Sequence, residues 1–282
     1  MLWFSKKQHA LAVPALTDQI IPAELPLALE ATLFRHHCGK LLEIAAQDGS
    51  IESYLAALRA KQHVFAETLA RDAVSAADIE VLLGCVFTAR RRVYPALERI
   101  GIPRAAALLK DLASGALPPA ERLQTFVDAM PGAAGMDRES VKAAAKVRRA
   151  AWDFAAEALH FSDPVKYPLM SRWVWDEATQ SGALREFVRG NDAIRDIPFN
   201  NSPETFEGAR VWLAARIAEE GIYRDVPLWI DLVQAQAYTT YFRSFTEGSL
   251  GADFARGVTP NEQLKKLLGI DAAPGVSPRV KK

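Results

Sequence analysis

Apolar residues return every three to four positions along most of this chain, the spacing that gathers them on one face of an α-helix. The stretch 26–47, PLALEATLFRHHCGKLLEIAAQ, follows that rhythm and stops at the turn signal Asp48-Gly49-Ser50. The next helix is expected over 50–73, with Ser50 as its N-cap and Glu52 in its first turn. A third, over 75–101, opens with Ser75 and Asp78 in capping-box register, is almost wholly apolar in its first half, and should be kinked or broken at Pro95. Pro103 and Gly115 bracket a short helix, and 118–132 repeats the same grammar. The longest periodic stretch is 137–161, whose apolar face runs from Val141 through Trp152 and Phe154 to Leu159. Beyond it a short helix started by Pro168 and ended at Gly182 is expected, then helices over 204–221, 225–248 and 259–271. The one strand candidate lies around 184–198 and alternates weakly.

These elements predict an all-α fold, a multi-helix, bundle-like globule of about nine or ten helices joined by short connections. A main helical domain is expected over 1–176, an irregular connection over 177–203, a C-terminal helical unit packed on the main domain over 204–271, and a flexible tail over 272–282. With 282 residues, 50% of them hydrophobic, the chain can bury a full core and falls outside the disordered regime. Lys+Arg and Asp+Glu number 34 each, so the chain as a whole has no net field to draw polyanions or membranes. Cys38 and Cys85 are too few for a disulfide framework. The opening MLWFSKKQHALAV has neither a long apolar run nor a small-residue cleavage site. Reduced thiols and a cytoplasmic location follow as expectations. No run approaches the roughly 18 apolar residues of a membrane span, so a soluble protein with no membrane partner is expected.

Candidate chemistry is sparse. His36, His37 and Cys38 are metal-ligand types, but consecutive helical residues point about 100° apart and do not share one ion. A di-iron bundle needs Glu-x-x-His pairs, and Glu30, Glu43 and Glu67 have no His three residues later. Neither a metal nor a cofactor is expected. There is no Gly-x-Ser-x-Gly elbow and no P-loop. Gly132–Gly135 precedes a helix whose first turn carries Asp137 and Glu139, which repel a phosphate.

Charge is distributed unevenly. Residues 86–172 carry 14 Lys/Arg against nine Asp/Glu, an excess of five that the rest of the chain cancels. Lys142, Lys146 and Arg149 share one helical face, and Arg90 and Arg91 belong to a neighbouring run, a set suited to a phosphate backbone. The same region resembles the helix-hairpin-helix DNA glycosylase superfamily in the order of its segments. Met130-Pro131-Gly132 stands where that family begins its hairpin, and Tyr167-Pro168 where it has an aromatic-proline pair. The resemblance implies a helical fold with nucleic acid as ligand. Ser171 stands nearest the family's catalytic Asp, and the hairpin glycines are spaced differently, so the glycosylase chemistry is not implied.

One further segment stands out: KYPLMSRWVWDE, 166–177, concentrates aromatic residues beside charge. Arg172 and Asp176 are spaced to pair on a helix, and Trp173 reads as core. His160, Tyr167, Arg172, Trp175 and Asp176 form the candidate partner- or ligand-binding set, since aromatics with Arg are the hot-spot composition. The leading functional expectation is an accessory protein that recognises another protein through this surface. A nucleic-acid-binding protein using Arg90, Arg91, Lys142, Lys146 and Arg149 is the alternative, and a helical enzyme with a pocket around His160, Tyr167 and Arg172 is the third.

Overall fold

A computed structural model describes residues 19–135, 137–247 and 258–271. The opening segment and the tail 272–282, expected to carry no leader and to fray, lie outside the described residues. The fold among the described residues is all-α, with no sheet. Its helices are α1 (Ala31–Gln47), α2 (Ile51–Ala70), α3 (Ala76–Gly84), α4 (Val93–Ile100), α5 (Ile102–Ser114), α6 (Pro119–Asp128), α7 (Arg138–Ser162), α8 (Pro203–Glu219), α9 (Val226–Glu247) and α10 (Pro260–Leu268). A 3-10 turn spans Ala183–Phe187.

Local chemistry sets most of the boundaries. Ser75 and Asp78 close a reciprocal capping box at the start of α3, and Thr259 and Glu262 do the same for α10. The expected helix over 75–101 divides ahead of Pro95, across 85–92, where the Arg90 Nε donates to the Gly84 carbonyl at 2.8 Å. Pro95 then sits in the first turn of α4, where an amide has no intrahelical partner to lose.

Two helices organise the packing. α7 lies against α2, α4, α5 and α6, while α9 lies against α1, α2, α8, α10 and the 3-10 turn. Between them the core collects large side chains from the whole chain, among them Phe34, Phe65, Phe126, Phe154, Trp175 and Phe187, each 1% exposed or less. Each such ring contributes roughly 1.5–3 kcal/mol of burial.

The segment 168–182 is not the expected helix. It runs as successive turns, and an antiparallel bridge pairs Asp176 with Ser181. The return is possible because Gly182 adopts φ 136°, with a Cβ there only 2.5 Å from the Val174 carbonyl oxygen. The strand considered over 184–198 reduces to one bridge, Leu29 to Val188.

Candidate functional site

α7 is one helix with two chemistries. From Ala150 to Phe161 every residue except Trp152 is buried; from Arg138 to Arg149 none is. Asp137 caps its start by accepting from the Glu139 and Ser140 amides at 3.0 and 2.9 Å. The anion position at this helix end is thereby filled by the chain's own carboxylate.

The buried half carries Asp153, Glu157 and His160, spaced so that they share one face. Lys61 of α2 donates to Glu157 Oε2 at 2.5 Å and to the Leu268 carbonyl at the end of α10 at 2.7 Å, with its ammonium 4.2 Å from the Phe161 ring centroid. His160 Nδ1 lies 2.7 Å from the Tyr167 carbonyl and Nε2 lies 3.0 Å from Asp231 Oδ2 of α9. A carbonyl only accepts, so Nδ1 carries a proton, and one further proton sits between Nε2 and the carboxylate. Whether written as imidazolium and carboxylate or as neutral ring and acid, the pair has zero net charge. Burial pushes the Glu157 carboxyl up, against the pull of Lys61 and then His160. This network clamps α2, α7, α9 and α10 together, and its charged atoms are committed to one another.

Glu157-Ala158-Leu159-His160 is the Glu-x-x-His spacing that Glu30, Glu43 and Glu67 lack. Here Lys61 occupies the Glu and Asp231 the His. Among the described residues no group of three or more His, Cys, Asp or Glu is arranged to hold a metal ion. His36 is exposed, whereas His37 and Cys38 turn inward, with His37 edge-on to Phe187 and its basicity lowered to about 4 chiefly by burial.

The aromatic segment forms core instead of surface. Tyr167, Trp173 and Trp175 are 2%, 5% and 1% exposed, and the Trp175 Nε1–H donates to the Phe199 carbonyl at 3.1 Å. Arg122 of α6, itself buried, donates to the Tyr167 hydroxyl at 3.2 Å. The Arg172 amide donates to Asp153 Oδ1 at 3.0 Å, and its guanidinium grips Asp176 Oδ2 through Nε and Nη2 at 3.0 and 2.9 Å. Burial raises the Asp153 carboxyl to about 6, with Arg172 pulling against it. Of the expected binding set, His160, Tyr167, Trp175 and Asp176 are thus buried, and only Arg172 reaches solvent in part. The Trp175 offset from the Trp173 face would place it outward on a helix; the segment is not helical, so the offset has no such meaning.

The exposed half of α7 builds a different feature. A cleft of about 250 Å³ lies between α4, the 131–134 turn and α7, floored by Pro95, Ala96, Ala143, Ala144 and Val147 and edged by Arg92 and Arg99. It shares Ala143 with a shallower, open hollow of about 460 Å³ lined by Arg138, Glu139, Lys142 and Lys146. Among the described residues, five cations and one acid therefore line two neighbouring hollows that meet at Ala143, with Lys142 and Lys146 on the face of α7 turned away from Ala144 and Val147. None of the five side chains has an ion-pair or hydrogen-bond partner among the described residues. Elsewhere cations are mostly engaged: Arg59 with Asp225, Arg148 with Asp128, Arg210 with Glu207, Arg216 with Glu219.

Of the expected phosphate contacts, Lys142 and Lys146 line the shallower hollow, Arg149 and Arg91 are exposed, and Arg90 turns inward to Asp271 at 2.9 Å. Arg92, Arg99 and Arg138 complete the site. The signal for the first two was the seven-residue spacing of Arg92, the N-cap of α4, and Arg99 in its last turn, but α4 itself was hidden inside a longer predicted helix. The Met130-Pro131-Gly132 stretch borders the cleft, and Ser171, at 0% exposure, is core. No family model matches this chain, and no curated protein or solved structure shows significant similarity to it.

Proposed function

We propose that the protein binds nucleic acid on the basic surface formed by the exposed half of α7 and the neighbouring cleft beside α4. The observation that carries this reading is the gathering of cations whose side chains have no partner among the described residues. Arg92, Arg99, Arg138, Lys142 and Lys146 line two neighbouring hollows in which Glu139 is the only lining acid among the described residues, in a chain whose net charge is zero. Leaving five like charges together raises the energy of the free protein, and an anionic ligand relieves it. Along α7, Arg138, Lys142, Lys146 and Arg149 lie within one stripe extending roughly 16 Å, a row of positive charges on a rigid rod. Regularly spaced phosphates answer that geometry.

The partner-protein reading has less support, because its aromatic anchors are spent in the core. The enzyme reading has its titratable groups internally neutralised. The test is fluorescence anisotropy with a labelled 20-base-pair duplex at low salt. Binding is expected, and Lys142→Glu with Lys146→Glu should weaken it at least tenfold while Arg195→Glu, an exposed cation elsewhere, leaves it nearly unchanged. Equal weakening by all three, or no binding, would overturn the reading.

A further inference from the structure

We infer that this basic surface takes the sugar–phosphate backbone of a double-stranded nucleic acid, without reading its bases, in preference to a single strand. This rests on the nucleic-acid reading above and narrows it.

The argument comes from what lines the two hollows besides charge. The floor of the cleft is Ala143, Ala144, Val147, Pro95, Ala96 and Pro131. Among the described residues no aromatic side chain lines either hollow, whereas proteins that hold single strands stack successive bases on aromatic rings. Trp173, Trp175 and Trp229 are buried in the core, as are Tyr54, Tyr94 and Tyr167. Base edges are read by amide, hydroxyl and bidentate Arg groups placed to enter a duplex groove. Among the described residues Ser140 is the only uncharged polar side chain in either lining.

Rigidity favours the duplex as well. The α7 row is held by a helix whose second half is locked in the core through Glu157 and His160. A duplex presents its phosphates already ordered, so binding to a fixed row immobilises little. A single strand must be ordered on the same row without stacking to offset the loss.

The experiment is a competition assay on the full chain, with a labelled 20-base-pair DNA duplex displaced by unlabelled competitors at one salt concentration. The competitors are a duplex of unrelated sequence, an RNA duplex, an oligo-dT single strand and vesicles containing a third phosphatidylserine. The two DNA duplexes should compete within about threefold of each other, and oligo-dT at least tenfold less well. Arg99→Ala and Lys142→Ala, with unchanged circular dichroism, should weaken both duplexes to the same degree. Competition by oligo-dT equal to or better than duplex overturns the duplex inference and leaves nucleic-acid binding standing. A sequence preference above tenfold overturns the backbone-only part. Failure of every nucleic acid overturns both, and displacement by vesicles alone reassigns the basic surface to a lipid surface.

Discussion

Lys61 and Glu157 meet at 2.5 Å across 96 residues of sequence, both almost fully buried, and join α2 to the middle of α7. A buried pair of this kind is costly to break and often neutral to replace. Lys61→Met should therefore destabilise the fold by about 3–5 kcal/mol, because Glu157 is left without its cation. Combining it with Glu157→Leu should recover most of that loss. Urea unfolding of the single and double variants measures the coupling; additive losses would show that the pair does not act as a unit.

Asp153 makes stability depend on pH. Its carboxyl is 3% exposed and raised to about 6 from an ordinary 3.8. The folded state therefore keeps a proton that the unfolded chain has released between about pH 4 and 6. Stability is highest below that window and falls as pH rises through it, by on the order of 3 kcal/mol. Glu186, raised to about 7, acts in the same direction, and His37, lowered to about 4, acts in the opposite one. Asp153→Asn removes one contribution and leaves the others. The stability of the wild type minus that of Asp153→Asn should fall between pH 4 and 7, and a flat difference would contradict the buried carboxyl.

Trp175 belongs to the core, so Trp175→Ala should cost about 3–5 kcal/mol and leave the Phe199 carbonyl without its donor. The affinity of the remaining folded protein for duplex should not change. Loss of binding at full stability would return this residue to a surface role.

Gly269 ends α10 at φ 68°, and a Cβ there would lie 1.8 Å from the Cys85 carbonyl oxygen. Gly269→Ala should displace α10, separate Lys61 from the Leu268 carbonyl and lower stability by at least about 1 kcal/mol. Thermal melting combined with hydrogen exchange in α10 checks this. Unchanged protection would mean that the helix end relaxes freely.

The helical grammar was largely legible in the sequence, because capping boxes, proline starts and apolar periodicity are local signals; α3 and α10 begin at the residues that announce them. The turns over 168–182 were not legible. Their course depends on a left-region glycine fitting against Val174 and on Asp153 receiving the Arg172 amide, both settled by packing. The Glu157–His160 spacing is present in the chain. Its alanine-rich surroundings make α7 read as one amphipathic helix, and the partners that define the pair lie 96 and 71 residues away. The basic surface was half visible: Lys142 and Lys146 share a face by spacing alone, while Arg92 and Arg99 come to the neighbouring cleft only through the contact of α4 with α7.

The most direct test is the salt dependence of duplex affinity, measured between 50 and 200 mM monovalent salt. Five phosphate contacts predict a slope of log affinity against log salt of about −4.5, roughly a 500-fold loss across that range, and Arg99→Ala should make the slope shallower by about 0.9. A slope near zero, or one that Arg99→Ala and Lys142→Ala leave unchanged, would contradict the assignment of the basic surface.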